Sequence, residues 1–441
     1  MNARKRIALN LAAALLAGAW GPASLRRQAE EYLGPATVKL QWALIDEMLE
    51  QAAIGHPPSP RRLTDLLMRC EYFDAAVTPL GETAQGIPRV LESAVFAPSP
   101  RFSRIGVPRL ATSRDLAGWL GLGVSQLDWL ADARRQHRTT AIPILQHYRH
   151  IFSSKRCGPP RLIEAPKPRL KSVQRQILRG ILDMVPVHDC VHGFVARRSC
   201  LTSAQLHAGE AMVVGLDLKD FFPSTPIRRI NGLFRSLGYP WTVACLLTGL
   251  CSTSTPGSVF MQLPEARRHD RSIRRMYQAQ HLPQGAPTSP ALANLSARQL
   301  DLRLCGLAKK FGANFSRYVD DLAFSGDQGF ARKIKPFLAA VEMIVREEGY
   351  GLNIQKTRIM GRGGRQRITG LVVNEHVNVS RAGYDRLKAT LHNCVKNGPN
   401  AENRDNLGDF RAHLEGRVVW LENVNPARGL RLRRQFNAIR W

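Results

Sequence analysis

Acidic residues are scarce in this sequence of 441 residues: 35 Asp and Glu stand against 63 Lys and Arg, a formal charge of +28, with an isoelectric point near 10.6. A surplus of that size suits a chain that grips a polyanion, because each neutralised phosphate releases counterions. Attraction to an anionic membrane and plain solubility are the alternatives. Metal-binding cysteine patterns are missing too. The eight Cys, at 70, 157, 190, 200, 245, 251, 305 and 394, include no Cys-x-x-Cys and no His at matching spacing. No zinc site is therefore expected, no disulfide framework is needed at this size, and reduced thiols in a cytoplasm fit best. A membrane-length apolar run is also lacking. Arg4-Lys5-Arg6 followed by Ile7 to Trp20, with small residues near Ala17-Gly18-Ala19, has the outline of a secretory leader. Its apolar part is too short to span a bilayer, and with Leu25-Arg-Arg-Gln-Ala-Glu-Glu it reads as two short packing helices. No partner membrane is expected.

What is present begins with 44% hydrophobic residues, enough for a large core and two or three domains. Residues 1 to about 100 carry helical periodicity, as in Val38 to Ala53 with Leu40, Ala43, Leu44 and Met48 near one face, and no chemistry. Pro57, Pro58 and Pro60 break the chain, and Pro98 to Pro100 reads as a linker. Thr112 is a capping candidate ahead of two short helices about Gly121-Leu-Gly; a helical layer is preferred to a helix-turn-helix, since nothing marks a recognition helix.

The informative stretch is Arg317-Tyr-Val-Asp-Asp-Leu-Ala-Phe-Ser325, two adjacent acids between strand-like runs. Neighbouring strand residues point to opposite faces, so Asp320 and Asp321 share a ligand only if a tight turn relaxes the alternation. Close carboxylates repel unless a cation or proton intervenes, and hard divalent ions prefer oxygen. A solvated Asp-Asp turn is the bland alternative. A third acid, Asp217, ends the apolar run Ala211-Met-Val-Val-Gly-Leu, five residues before Phe222 and just ahead of Pro223, which forbids further ladder pairing. Asp220, three residues on, is the competing acid.

These two segments resemble motifs A and C of the palm of reverse transcriptases. Leu282-Pro-Gln-Gly-Ala-Pro-Thr-Ser-Pro resembles motif B, and Gly351-Leu-Asn-Ile-Gln-Lys-Thr-Arg resembles motif D. Within that family, Arg161-Leu-Ile-Glu-Ala-Pro-Lys167-Pro looks like the fingers hairpin of the bacterial retron type. Ala204 and His207 match a retron Asn-Ala-x-x-His element, with Ser203 in place of Asn. Ile368-Thr-Gly matches the retron Val-Thr-Gly triplet with one conservative change. The Leu-Asp-Trp-Leu-Ala-Asp string resembles the longer retron enzymes of myxobacterial type.

The resemblance implies an α+β right-hand polymerase: a helical N-terminal extension (1–140), fingers and a palm with an antiparallel sheet (141–375), and a helical thumb (376–441). It implies two Mg²⁺, roughly 3.5 to 4 Å apart by general two-metal geometry, held by Asp217, Asp320 and Asp321, with Leu218 in the same set. Lys356 is the expected general acid toward pyrophosphate. Arg161 and Lys167 are the triphosphate candidates, Gln284 and Gly285 the contacts to the incoming nucleotide pair, and Phe222 the block to a ribose 2′-hydroxyl. His207, Thr369 and Gly370 are implied to touch RNA. For each, an ordinary alternative stands beside the functional one: a solvated base for Arg161, Lys167 and Lys356, a core aromatic for Phe222, and a structural hydrogen-bond partner for His207. Cys251 to Gln280, with its basic run from Ala266, is expected to be an exposed insertion.

The implied activity is RNA-directed DNA synthesis on a cognate structured non-coding RNA, with deoxynucleotides as substrates and an RNA–DNA duplex as product. It would prime on a 2′-hydroxyl of that RNA to give branched RNA-linked DNA, in the cytoplasm, in anti-phage defence with an effector protein. The alternatives are another bacterial reverse transcriptase, group II intron-like or diversity-generating, and a non-catalytic RNA-binding scaffold.

Overall fold

The computed structural model describes residues 3–17, 20–52, 58, 60–78, 95–133, 142–153, 161–262 and 271–441. By its contacts the chain divides into two compact units, Met1–Pro186 with Phe222–Ser296, and Val187–Phe221 with Ala297–Trp441. Among the described residues, no helix is long and apolar enough to cross a membrane.

The first unit opens with helices Ala3–Ala17, Pro22–Leu33, Val38–Ala52, Pro60–Leu67 and Phe73–Val77. They share one core, in which Leu11, Leu15, Leu25, Leu44, Met48, Leu63 and Phe73 are fully buried. Leu11 and Leu15, like Leu44 and Met48, are four apart and so stack on one helix face. In the third helix the buried stripe runs Gln41, Leu44, Ile45 and Met48, one step round from the expected Leu40 and Ala43. Thr112 does cap its helix, Ser113–Leu120, in a reciprocal box with Asp115. Gly121 closes that helix in the left-handed region, φ +65°.

Strands β1 (Tyr148–Ser153) and β2 (Arg161–Pro166) pair antiparallel, Tyr148 opposite Pro166. Helix Pro168–Gly180 follows, with Leu170, Val173 and Ile177 on its buried face. The segment after Cys251 is not the exposed insertion expected. Val259, Phe260 and Tyr277 bury with Leu162 in one cluster, and Thr255 donates to buried Glu164 at 2.7 Å. The adjacent pair Val259-Phe260 and the helix positions Ile273, Met276 and Tyr277 carry that packing, and the charge count masked it. The run Ala266 to Asp270, residues 154–160, Pro57, and Gly18-Ala19 lie outside the described residues.

The second unit is built on a four-stranded antiparallel sheet in the order β4 (Ala313–Tyr318), β5 (Asp321–Gly326), β3 (Met212–Asp217), β6 (Arg358–Gly361). Val213, Val214 and Leu216 bury the central strand. Helices Arg298–Lys310 and Ile334–Glu347 belong to the same unit, and Phe337 of the second meets Phe324, Phe330 and Phe311 edge-on. A two-residue hairpin joins β7 (Arg367–Ile368) to β8 (Leu371–Val372). Helices Arg381–Asn397, Phe410–Val424 and Pro426–Asn437 close around Leu391, Leu414, Val418 and Leu432.

Candidate active site

The carboxylates lie within the second unit. Asp217 is the last residue of β3 and pairs directly with Asp321, the first residue of β5. Directly opposed residues in an antiparallel ladder place their Cβ atoms about 4.5 to 5.5 Å apart on one face of the sheet. Tyr318 pairs with Asp321 as well, leaving Val319 and Asp320 as a two-residue turn. That answers the alternation problem: Asp321 is a strand residue, while Asp320 is freed by the turn. Val319 takes φ +62°, a conformation unfavourable to a β-branched residue.

Main-chain bonds fix this rung on both sides. The Leu218 N–H donates to the Asp320 carbonyl at 2.8 Å, the Lys219 N–H to Gly351 at 2.7 Å, and the Asn353 N–H to the Asp217 carbonyl at 2.8 Å. The last two bring the turn Ile354–Lys356 alongside, and Lys356 Nζ sits 2.7 Å from Asp217 Oδ1. Leu218 itself is buried, so it has only its main-chain carbonyl to offer a cation. Asp220 is exposed at φ +49° and stands outside the rung.

Beneath the turn, Arg317 and Asp301 form a fully buried pair, Nε to Oδ1 at 2.6 Å and Nη2 to Oδ2 at 2.8 Å. Burial works against the guanidinium, but the charge and hydrogen bonds of Asp301 outweigh it and leave its pKa above the ordinary arginine value. Its Nη1 donates to the Val319 carbonyl at 3.0 Å, so the pair holds the turn directly. Gly193 packs against the same turn: a Cβ there would stand 2.6 Å from Val319 Cγ2 and 2.7 Å from its nitrogen. No sequence signal pointed to Asp301 or Gly193.

The electrostatics suit a cation. Asp321 is pushed up to about 6, first by burial and then by the negative charges of Asp320 and Asp217, with Lys356 and Arg358 pulling the other way. The residue is exposed overall, so the like-charge repulsion is the firmer of the two causes. The donor set is all oxygen, which fits a hard divalent ion, and the Lys356 ammonium occupies Asp217 as a cation would. With Asp217 turned to Lys356, the three carboxylates do not converge to within 4.8 Å of one another; among the described residues, the one group of three metal-ligating side chains that does is His188, Cys190 and Cys305.

His207 needs correction. It has no exposed surface, and its Nδ1 and Nε2 lie 2.8 Å from the hydroxyls of Ser325 and Ser316. A side chain so enclosed cannot meet RNA directly, and the structural alternative describes it. Burial holds it down to about 3. Thr369 and Gly370 form the β7–β8 turn, both at positive φ (+47° and +88°), with Gly370 exposed, the geometry of a type I′ turn.

The nucleotide candidates fall in the first unit. Arg161 is exposed at the start of β2. Lys167 precedes the helix at Pro168, and its Nζ donates to the Ile144 carbonyl at 2.9 Å. The Glu164 N–H donates to the Gln284 carbonyl at 2.9 Å, and Gly285 sits at φ +136°, where a Cβ would come 3.0 Å from the Glu164 carbonyl. Hairpin and motif B thus touch through a glycine that no other residue replaces without strain. Phe222 is partly exposed in the short helix Phe221–Ser224.

Comparison with known proteins adds the following. Residues 153–384 match the family described as "Reverse transcriptase (RNA-dependent DNA polymerase)". The chain is 39% identical over 335 residues to the Retron Mx65 reverse transcriptase of Myxococcus xanthus, covering 76% of this chain and 73% of that one. It is 38% identical over 340 residues to the Retron Mx162 reverse transcriptase of the same organism, covering 74% and 66%. Against the Retron Ec86 reverse transcriptase of Escherichia coli the identity is 31% over 312 residues, covering 68% and 84%. A solved structure of a foamy viral protease-reverse transcriptase in complex with double-stranded DNA matches over 58% of this chain and 34% of that chain, at 17% identity and a TM-score of 0.31.

Proposed function

The chain belongs to the reverse transcriptases, and within them to the retron type, which makes it an RNA-directed DNA polymerase; from that premise we propose that it copies a structured non-coding RNA of its own retron. In this reading it primes on a 2′-hydroxyl of that RNA and makes branched RNA-linked single-stranded DNA. The observation that carries the reading is the directly opposed pair Asp217 and Asp321 with Asp320 in the adjoining turn.

Asp217, Asp320 and Asp321 are assigned as ligands to two Mg²⁺, with the Leu218 carbonyl as a further oxygen. Bound there, the ions would acidify the attacking hydroxyl and neutralise the departing pyrophosphate. Lys356, now 2.7 Å from Asp217 Oδ1, would be released by a cation bound there, and its Nζ would supply a proton to the pyrophosphate oxygen. Arg161 and Lys167 are assigned to the triphosphate, Lys167 giving up its bond to the Ile144 carbonyl. Gln284 and Gly285 line the nucleotide pair, and Phe222 excludes a 2′-hydroxyl, selecting deoxynucleotides. Thr369 and Gly370, in a turn where Gly370 is exposed and the Thr369 hydroxyl donates to the Cys200 carbonyl at 3.2 Å, are assigned to the RNA.

The parts are a helical extension (1–140), fingers and palm (141–375) and a thumb (376–441). The cores from Ala8 to Val77, on which Trp241 also packs, and from Leu387 to Ile439 support the outer two. The setting proposed is the cytoplasm, in anti-phage defence with an effector protein. Purified chain, co-expressed with the RNA encoded beside it, should yield a small DNA whose mobility changes on RNase treatment. Asp320→Ala should abolish it; a product that survives that substitution, or no product from the wild type, overturns the proposal.

A further inference from the structure

His188, Cys190 and Cys305 are absent from the polymerase reading, yet they converge. His188 Nδ1 lies 3.2 Å from Cys190 Sγ and 3.9 Å from Cys305 Sγ, and all three ligand atoms fall within 4.8 Å of one another. On a tetrahedral zinc ion, with Zn–S about 2.3 Å and Zn–N about 2.0 to 2.1 Å, a nitrogen and a sulfur ligand stand roughly 3.5 Å apart. The two observed separations bracket that value. Cys190 is buried, while His188 and Cys305 are half-buried, so the cluster borders solvent on one side.

The Cys190 N–H donates to His188 Nδ1 at 3.3 Å, so that nitrogen is unprotonated, and on binding it would exchange this bond for the ion. We propose that His188, Cys190 and Cys305 form a binding site for a thiolate-preferring divalent ion of the zinc class, separate from the carboxylate site. Imidazole and thiolate together select such ions over Mg²⁺.

The site would tie two distant parts of the second unit together behind the catalytic turn. Cys305 is on helix Arg298–Lys310, which also carries Asp301. Cys190 accepts a bond from the Arg317 N–H at 2.7 Å, and the His192 N–H donates to the Arg317 carbonyl at 2.8 Å. An ion there would lock the segment that flanks β4, the strand leading into Asp320 and Asp321. Both thiols give up their protons on binding, so uptake releases protons.

The test uses Co²⁺ as a spectroscopic stand-in, on full-length chain purified reduced and stripped of metal. The expected result is one equivalent of Co²⁺ giving a sulfur-to-cobalt charge-transfer band, displaced by Zn²⁺ and not by Mg²⁺. Cys305→Ser and His188→Gln, both at half-buried positions, should lose or shift the band, with folding checked by circular dichroism. Asp320→Asn should keep it. A wild-type chain that shows no thiolate band, or a band left unchanged in Cys305→Ser and His188→Gln, overturns the proposal. None of these readouts depends on DNA synthesis, so failure of this site and failure of the polymerase reading are distinguishable.

Discussion

Asp217 and Asp321 are partners on one rung of the β3–β5 ladder, so two acids 104 positions apart in the chain share one face of the sheet. Replacing either by Asn keeps the volume and removes the charge. Asp217→Asn and Asp321→Asn should each lower DNA synthesis by about 10² to 10³-fold or more, while Asp220→Asn, outside the rung, should alter it by no more than about twofold. Primer extension with each purified variant decides this, and equal losses in all of them would remove Asp217 from its assigned role.

The raised Asp321 gives a pH dependence whose sign is fixed. Its folded pKa, about 6, is above the ordinary 3.8, so between those values the folded chain holds a proton that the unfolded chain has released. Stability from that proton is fully present below about pH 4 and is lost as pH rises through 6. Metal-free Asp321→Asn should therefore melt higher than the wild type at pH 7.5, by about 1 kcal/mol once solvent screening of an exposed group is allowed for. The difference should vanish near pH 4. The same site should bind Mg²⁺ more tightly as pH rises through 6, read as a growing thermal shift.

Arg317 and Asp301 hold the turn from below through two short bonds. Breaking a buried pair from one side strands the other charge and costs about 3 to 5 kcal/mol. Asp301→Asn and Arg317→Met should both lower the denaturation midpoint by that much. Arg317→Lys should not restore it, because an ammonium has no planar fork for both carboxylate oxygens and the Val319 carbonyl. A full rescue by Lys would show that charge alone matters.

Gly193→Ala places a methyl group 2.7 Å from the Val319 nitrogen, and a main-chain atom has no rotamer by which to escape. The expected cost is about 1 to 3 kcal/mol of stability, with DNA synthesis falling further than that loss explains because Asp320 is displaced. Val319→Gly removes Cγ2 but not the nitrogen, so the double variant should recover only part of the activity.

His207→Ala removes the partner of the buried Ser325 hydroxyl, while Ser316 keeps Ser203 at 2.9 Å, and should cost about 1 to 3 kcal/mol, with RNA affinity unchanged. Its depressed pKa, about 3, means that the unfolded chain takes up a proton below about 6.5 that the folded chain refuses. Stability is thus present above that pH and lost as pH falls. The variant should flatten this decline in urea titrations. A drop in RNA binding at unchanged stability would restore a direct contact.

The features legible in the sequence are those written in local pattern. The apolar run ending at Asp217, the double acid between strand-like runs, the capping box at Thr112 and the glycine of Leu282-Pro-Gln-Gly285 all announce themselves within a few residues. What escaped notice depends on distant partners. Asp301 looks like the polar face of an amphipathic helix until Arg317 arrives from β4. His207 looks available until two serines close on it. Cysteine spacing suggested no metal site because Cys305 is 115 positions from Cys190, and the local hint, His188 two residues before Cys190, matches no familiar ligand pattern. Helices Ser289–Ser296 and Arg298–Lys310 are separate elements, a break that no glycine or proline marks.

The ribbon from Ala313 to Gly326 is joined by only two turn residues, and that brevity has an evolutionary consequence. One inserted or deleted codon within β5 would set Asp321 and the residues after it on conflicting registers, so that the two could not both keep their counterparts on β3. Length variation among descendants of this gene should therefore collect elsewhere, and the ribbon should drift by substitution alone.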